Sequence, residues 1–234
     1  MKDWVEYYDS DHSIYVNARH REVHYARLAE AFARHVPAGA AACVLDYGCG
    51  EALHAARVAE AAGKLMLAEA GPAVRGRLIA RFKDNPKIAV VSTDEVAGLP
   101  PDSLDVVILH SVSQYLSGRE FDRIAALFHG LLQPRGLLLV GDVVPPAASM
   151  FADIWALLRF GWRDGFFLAA AAGLVRTFFS DYRTLRTKMG LTRYSEQEMA
   201  AKLAGLGFVV NRAPINLGHL KTRMTFVAHK NAGT

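Results

Sequence analysis

Cysteine is nearly absent: Cys43 and Cys49 are the two in a chain of 234 residues. Two cysteines supply neither a disulfide framework nor a metal-ligand set. A reducing, cytoplasmic setting is the expectation. Long apolar runs are also missing. The longest, Phe166 to Val175, has ten residues, against the roughly 18–20 that a membrane span requires. The segment Met1-Lys2-Asp3-Trp4-Val5-Glu6 is too acidic and too short of apolar residues for a signal peptide. Basic charge is modest, at a net +4, and Lys and Arg form no dense stripe. No nucleic-acid partner is therefore expected. No repeat or low-complexity tract stands out beyond a few Ala-rich runs.

Hydrophobic residues make up 52% of the chain, enough to bury the core of one sizeable domain. The rest is organised around Cys43 to Glu69. A short apolar strand, Ala42–Tyr47, runs into Gly48-Cys49-Gly50. A helix is expected over Glu51–Ala62, then a strand over Lys64–Glu69. This is a βαβ nucleotide-binding pattern. Gly48 and Gly50 carry no Cβ, so the backbone can turn sharply and approach a ligand. The amides that open the helix would face that ligand. Glu69 stands 19 residues after Gly50, where a carboxylate can accept hydrogen bonds from a ribose diol. A dinucleotide G-x-G-x-x-G frame would need glycine at 53, where Leu53 stands. That disfavours a nicotinamide dehydrogenase.

Alternating strands and helices surround this unit. Residues 1–17 read as an irregular arm, followed by a helix from about Ala18 to His35 that Pro37 and Gly39 stop. Pro72 opens a helix to about Phe82. Strands are expected at Lys87–Ser92, Leu104–Leu109 and Leu137–Val140, with a helix over Arg119–Leu131 before the Gln133-Pro134-Arg135-Gly136 turn. After Pro145-Pro146 the alternation breaks into an apolar helical insertion, residues 145–194. Met150 to Trp162 is apolar almost all round, with Asp153, Arg159 and Arg163 as a narrow polar edge. A second helix carries Leu174, Phe178, Tyr182 and Leu185 on one face. Ser195 and Glu198 form a capping box. Phe208–Pro214 and Arg223–Lys230 read as an antiparallel strand pair.

Taken in order, Val44-Leu45-Asp46-Tyr47-Gly48-Cys49-Gly50, Glu69, Leu99-Pro100 before Leu104–Leu109, and Leu132-Gln133-Pro134-Arg135-Gly136-Leu137 resemble the class I S-adenosylmethionine-dependent methyltransferases. The likeness covers roughly residues 40–143 and 195–230. Ser111–Tyr115 also resembles the segment after strand four in methyltransferases of small-metabolite pathways. One departure is Ala52, where the family often has glycine. The resemblance implies an α/β, Rossmann-like three-layer sandwich. Its seven-stranded sheet would have the order 3-2-1-4-5-7-6, with the last strand antiparallel and a helical lid inserted after strand five. The implied division is a lid at 1–39, a donor-binding core at 40–144 and 195–234, and the insertion at 145–194.

The resemblance also implies roles. S-adenosylmethionine would be held by Asp46 at its amino group, by Gly48, Cys49 and Gly50 along the loop, and by Glu69 and Ala70 at the ribose. An acid after strand three, Asp94 or Glu95, would meet the adenine amine. His110 and Ser111 would line the donor near its methyl, and His110 or Tyr115 could act on the acceptor. Gln114 is a weaker candidate of the same kind. Tyr15 and Arg19 belong to an aromatic and basic group with Tyr7, Tyr8, His12, His20 and His24 that suggests a lid over the donor. The acceptor would be a small, apolar or aromatic molecule. The insertion reads as a substrate lid or a homodimer interface, and less favourably as a membrane-surface contact. A non-catalytic protein of the same fold is the alternative reading.

Overall fold

Apolar side chains alternate between two faces along the central strands, so the sheet must be covered on both sides. The structure, a computed structural model, describes residues 2–10, 15–38, 41–178 and 190–232. Its strands are β1 (Cys43–Tyr47), β2 (Lys64–Ala68), β3 (Ile88–Val91), β4 (Leu104–His110), β5 (Leu132–Val143), β6 (Phe208–Arg212) and β7 (Met224–Lys230). They form one sheet in the order β3-β2-β1-β4-β5-β7-β6. Leu45 of β1 lies opposite Met66 of β2 and Val107 of β4 in parallel register. Only β7 runs antiparallel to its neighbours, β5 and β6. Sheet order and direction are those the resemblance implied.

The helices are α1 (Lys2–Asp9), α2 (Ala18–Ala33), α3 (Ala55–Ala61), α4 (Pro72–Phe82), α5 (Gly118–Leu131), α6 (Met150–Asp164), α7 (Phe167–Phe178) and α8 (Glu196–Gly205). On one face of the sheet, Leu45, Val107, Leu109 and Leu138 pack with Phe121 and Phe128 of α5 and Met199 of α8. On the other, Val44, Val106, Ile108 and Leu139 pack with Phe32 of α2, Val58 of α3 and Leu78 of α4. A small third cluster joins Phe160, Phe166 and Ala170 of the inserted segment to Val23 of α2. The Ser195–Glu198 capping box opens α8 as expected. All five parallel strands end along one edge. The strand order reverses between β1 and β4, which is where open α/β sheets form a crevice.

Four local expectations need correction. Residues 2–9 are helical and not irregular. An isolated eight-residue helix is marginal in water. Here Trp4 is buried against Tyr115, with ring centroids 4.5 Å apart. Asp9 accepts from the backbone N–H groups of Ala73 and Val74 and so caps α4. These tertiary contacts fix the helix. Secondly, α3 begins at Ala55, because Ala52 adopts a left-handed φ of 40°. Thirdly, β5 starts at Leu132, and the Gln133–Gly136 turn is a bulge within it, with Arg135 at φ 66°. Lastly, Asp153 does not share an edge with Arg159 and Arg163. It faces inward and pairs with Arg223 at 2.8 Å. Gly39, Tyr182 and Leu185 lie outside the described residues.

Candidate functional site

The loop after β1 is a tight backbone cradle. Gly48 and Gly50 sit at φ +72° and +58°, which side chains other than glycine rarely tolerate. A Cβ on Gly48 would stand 2.6 Å from Val112, so the space beside the loop depends on glycine. The Ala68 carbonyl accepts from the Gly48 N–H at 2.8 Å. Glu69, just past β2, accepts from the Gly50 N–H with one oxygen and from the Gly71 N–H with the other, both at 2.9 Å. Each carboxylate oxygen retains a second lone pair. The Tyr25 hydroxyl of α2 accepts from the Glu51 N–H at 3.1 Å. The amides expected to face a ligand from a helix start at Glu51 are thus partly satisfied by protein side chains.

Above this loop lies a cavity of about 450 Å³. Asp46, Gly48, Cys49, Glu69 and Ala70 form one end. His110 and Ser111, where β4 ends, stand in the middle, and Asp142, His219 and Arg223 lie beyond them. Trp4, Tyr8 and Tyr15 come from the N-terminal segments, and Asp153 and Leu157 from α6. Ser111 and Asp142 end adjacent strands in left-handed conformations, φ 57° and 62°. Such backbone costs roughly 1–3 kcal/mol per residue and clusters at functional sites. The Ser111 hydroxyl donates to Asp142 at 2.9 Å. Asn216 donates to the other Asp142 oxygen at 3.2 Å and accepts from Thr225 at 2.8 Å.

Residues 45–140 match a family model described as a methyltransferase domain. The match covers less than half of the chain and likens this segment to methyltransferase domains. Solved structures share the fold. A protein of the O-methyltransferase family from Burkholderia thailandensis superposes with a TM-score of 0.60 at 12% identity, over 91% of this chain and 57% of that one. Magnesium protoporphyrin IX methyltransferase from Synechocystis, with bound SAH, gives 0.59 at 14%, over 98% and 94%. The [4+2]-cyclase SpnF gives 0.59 at 15%, over 88% and 81%. This chain thus spans little more than half of the Burkholderia protein. No curated protein matches the sequence.

Most residues anticipated from the sequence meet in the cavity: Asp46, Gly48, Cys49, Glu69, Ala70, His110, Ser111, Gln114, Tyr115 and Tyr15 all line it. Gly50 contributes its N–H to Glu69. Besides Gly50 and Tyr7, three do not reach the wall. Asp94 is exposed, and Glu95 is exposed with its carboxylate accepting from Ser92. Thr93 lines the cavity in their place. Arg19 is exposed and donates to the Asp164 carbonyl at 3.5 Å. His12 lies outside the described residues. The sequence reading missed Tyr25, Asp142, His219 and Arg223. Tyr25 shares α2 with His24 and was open to discovery by its helical spacing. The others come from segments with no local motif.

Electrostatics around the cavity follow from burial. Asp46 lines the cavity, and loss of bulk water, with Glu69 nearby, raises its pKa to about 7. Burial raises Tyr25 to about 12 and lowers His20 to about 4. It also lowers His24, His110 and His219, which repel one another when charged. The four imidazoles are therefore neutral at pH 7. Among the described residues no three His, Cys, Asp or Glu side chains are arranged to hold a metal ion. Both ring nitrogens of His110 are buried without a hydrogen-bond partner, as are Nε and Nη1 of Arg223. Leaving such groups unpaired costs about 1–3 kcal/mol each, and both residues line the cavity.

Proposed function

We propose that the protein transfers a methyl group from S-adenosylmethionine to a small acceptor with an apolar or aromatic body. One observation carries the reading. A single cavity joins the glycine loop and Glu69 to the unpartnered imidazole of His110. Its donor end fits the molecule: Glu69 for the ribose diol, Asp46 for the amino group, and a loop that a Cβ at position 48 would fill. When bound, S-adenosylmethionine supplies a methyl already activated by a sulfonium charge. The chain must then hold the nucleophile in line, about 3–3.5 Å from the methyl, and exclude water. Leu28, Phe32, Leu157 and Leu220 supply apolar wall beyond His110. His110, neutral at pH 7, hydrogen-bonds the acceptor or removes its proton. Arg223 offers Nε–H and Nη1–H to an acceptor oxygen. Helix α6 serves as the substrate lid.

Calorimetry with S-adenosylmethionine, then a methyl-label assay against cell extract, tests the reading. Binding followed by label transfer to a small molecule is the expected result. Binding with no turnover across a broad acceptor panel would favour a non-catalytic protein of the same fold.

Two donor-side outcomes are expected. Glu69→Ala should weaken S-adenosylhomocysteine binding by roughly 1–3 kcal/mol, through lost hydrogen bonds to a charged acceptor. Unchanged affinity in the folded variant would remove Glu69 from the donor site. The second outcome concerns pH. With a pKa of about 7, Asp46 in the free protein takes up a proton as pH falls through that value. A protonated carboxyl cannot pair with an ammonium group. Donor affinity should therefore fall toward tenfold per unit below about pH 7, with a proton released on binding. Calorimetry in buffers of different ionisation enthalpy measures that release. Asp46→Asn should abolish the slope, and an identical slope in the variant would assign it to another group.

A further inference from the structure

Helix α6 is amphipathic in an unusual sense, because both of its faces carry apolar side chains. Asp153, Leu157, Phe160 and Asp164 recur at helical spacing and face inward. Asp153 pairs with Arg223, Asp164 pairs with Arg27, and Phe160 is buried. Trp155, Arg159, Trp162 and Arg163 occupy the opposite face, and all four are exposed. Trp155 and Trp162 are 69% and 76% exposed. At the start of α7, Phe167 and Leu168 extend the same surface at 38% and 82%, with Phe167 edge-on to Trp162 at 5.6 Å. Among the described residues the other large exposed apolar side chains, Ile79, Val209 and Ile215, lie elsewhere, in α4, β6 and the β6–β7 connection.

Charge on this surface is sorted by sign. Both acids of α6 are turned inward and engaged by arginines, Arg27 of α2 at 2.5 Å and the buried Arg223 at 2.8 Å. Both of its arginines point outward among the tryptophans. Exposed Arg19 lies beside the C-terminal end of α6, donating to the Asp164 carbonyl. A face of tryptophan, phenylalanine and leucine that carries Arg159 and Arg163, with both acids of α6 turned inward, matches an anionic lipid headgroup layer. Indole rings settle at the boundary of headgroups and acyl chains, while guanidinium groups meet lipid phosphates. We infer that the outer face of α6 and the start of α7 dock the protein on an anionic membrane surface. The docked form lies on the bilayer and does not span it, since no helix among the described residues is long and apolar enough to cross. The helix would then reach lipid with one face and the cavity with the other, through Asp153 and Leu157.

Co-sedimentation of the full chain with phospholipid vesicles tests this. Vesicles of phosphatidylcholine with about one-third phosphatidylglycerol should bind at least tenfold more protein than phosphatidylcholine alone, and high salt should release it. Tryptophan emission should shift to the blue on binding, since Trp4 is already buried and the change reports Trp155 and Trp162. The double variant Trp155→Ser/Trp162→Ser should lose at least tenfold in vesicle binding. Its affinity for S-adenosylhomocysteine, read by calorimetry, should stay unchanged and shows that the variant is folded. Three results would overturn the inference: no preference for anionic vesicles, equal sedimentation of wild type and variant, or a dimer that the variant abolishes and vesicles leave intact. The last would assign this face to a second copy of the chain. Each outcome is independent of whether methyl transfer is found.

Discussion

His110→Ala is expected to lower turnover by about a hundredfold or more while leaving S-adenosylhomocysteine affinity within about threefold. The expectation rests on what surrounds the ring. Phe32 meets it edge-on at 5.6 Å, and its Nδ1 lies 2.3 Å from where a Cβ on Gly141 would stand. The ring is thus fixed by packing, with no hydrogen bond to orient it. Asp142 and His219 act on it only at longer range, with opposite signs. A histidine kept for structure alone would have found a partner for at least one nitrogen, since buried polar atoms almost always do. Its pKa is lowered by burial, so wild-type turnover should hold at neutral pH and decline only as acid begins to protonate the ring. His110→Asn separates two roles. It retains a hydrogen-bonding group but cannot take a proton near neutral pH. Rescue by asparagine would make His110 an orienting group, and failure of rescue would make it a base. Unimpaired turnover in the folded alanine variant would reduce it to a lining residue.

The fold was legible because its signals are local. A short apolar run such as Val106–Leu109, rich in β-branched residues, reads as a strand covered on both faces, and Gly48, Gly50 and Glu69 have spacings that a βαβ turn imposes. The donor end of the cavity inherits that legibility. Its far end does not. His219 comes from the connection between β6 and β7, Asp142 from the end of β5, and Arg223 from the residue before β7. Only the reversed direction of β7 brings the start of that strand to the edge where the parallel strands finish. No spacing in the sequence announces that meeting. The expected acid after strand three, Asp94 or Glu95, is exposed, and the cavity wall there is Thr93, for a different reason. The strand was expected to run to Ser92, whereas β3 ends at Val91. The N-terminal helix was invisible because Trp4 and Asp9 stabilise it through contacts with Tyr115 and α4, more than 60 residues away.

The Asp153–Arg223 pair carries the other large expectation. Arg223 is 5% exposed and Asp153 18%, and they join α6 to the start of β7. Removing one member of a buried pair costs about 3–5 kcal/mol, because the other charge is left without compensation. The cost should be unequal. Arginine cannot shed its proton at any accessible pH, so Asp153→Ala strands a permanent charge whose Nε and Nη1 already lack partners. A carboxyl left by Arg223→Met can neutralise itself by taking up a proton. Asp153→Ala should therefore lie at the upper end of the range, and Arg223→Met should be milder and improve as pH falls. Denaturant unfolding at about pH 8 and about pH 5.5 measures both. The double variant Asp153→Leu/Arg223→Met removes both charges and should recover most of the stability. Since Arg223 is also the proposed donor to an acceptor oxygen, that recovered protein should still bind S-adenosylhomocysteine yet transfer methyl poorly. Full activity in the double variant would mean that the pair only fastens α6 to the sheet. A stability loss below about 1 kcal/mol for Asp153→Ala would mean that water reaches Arg223 and that the site is less closed than its burial implies.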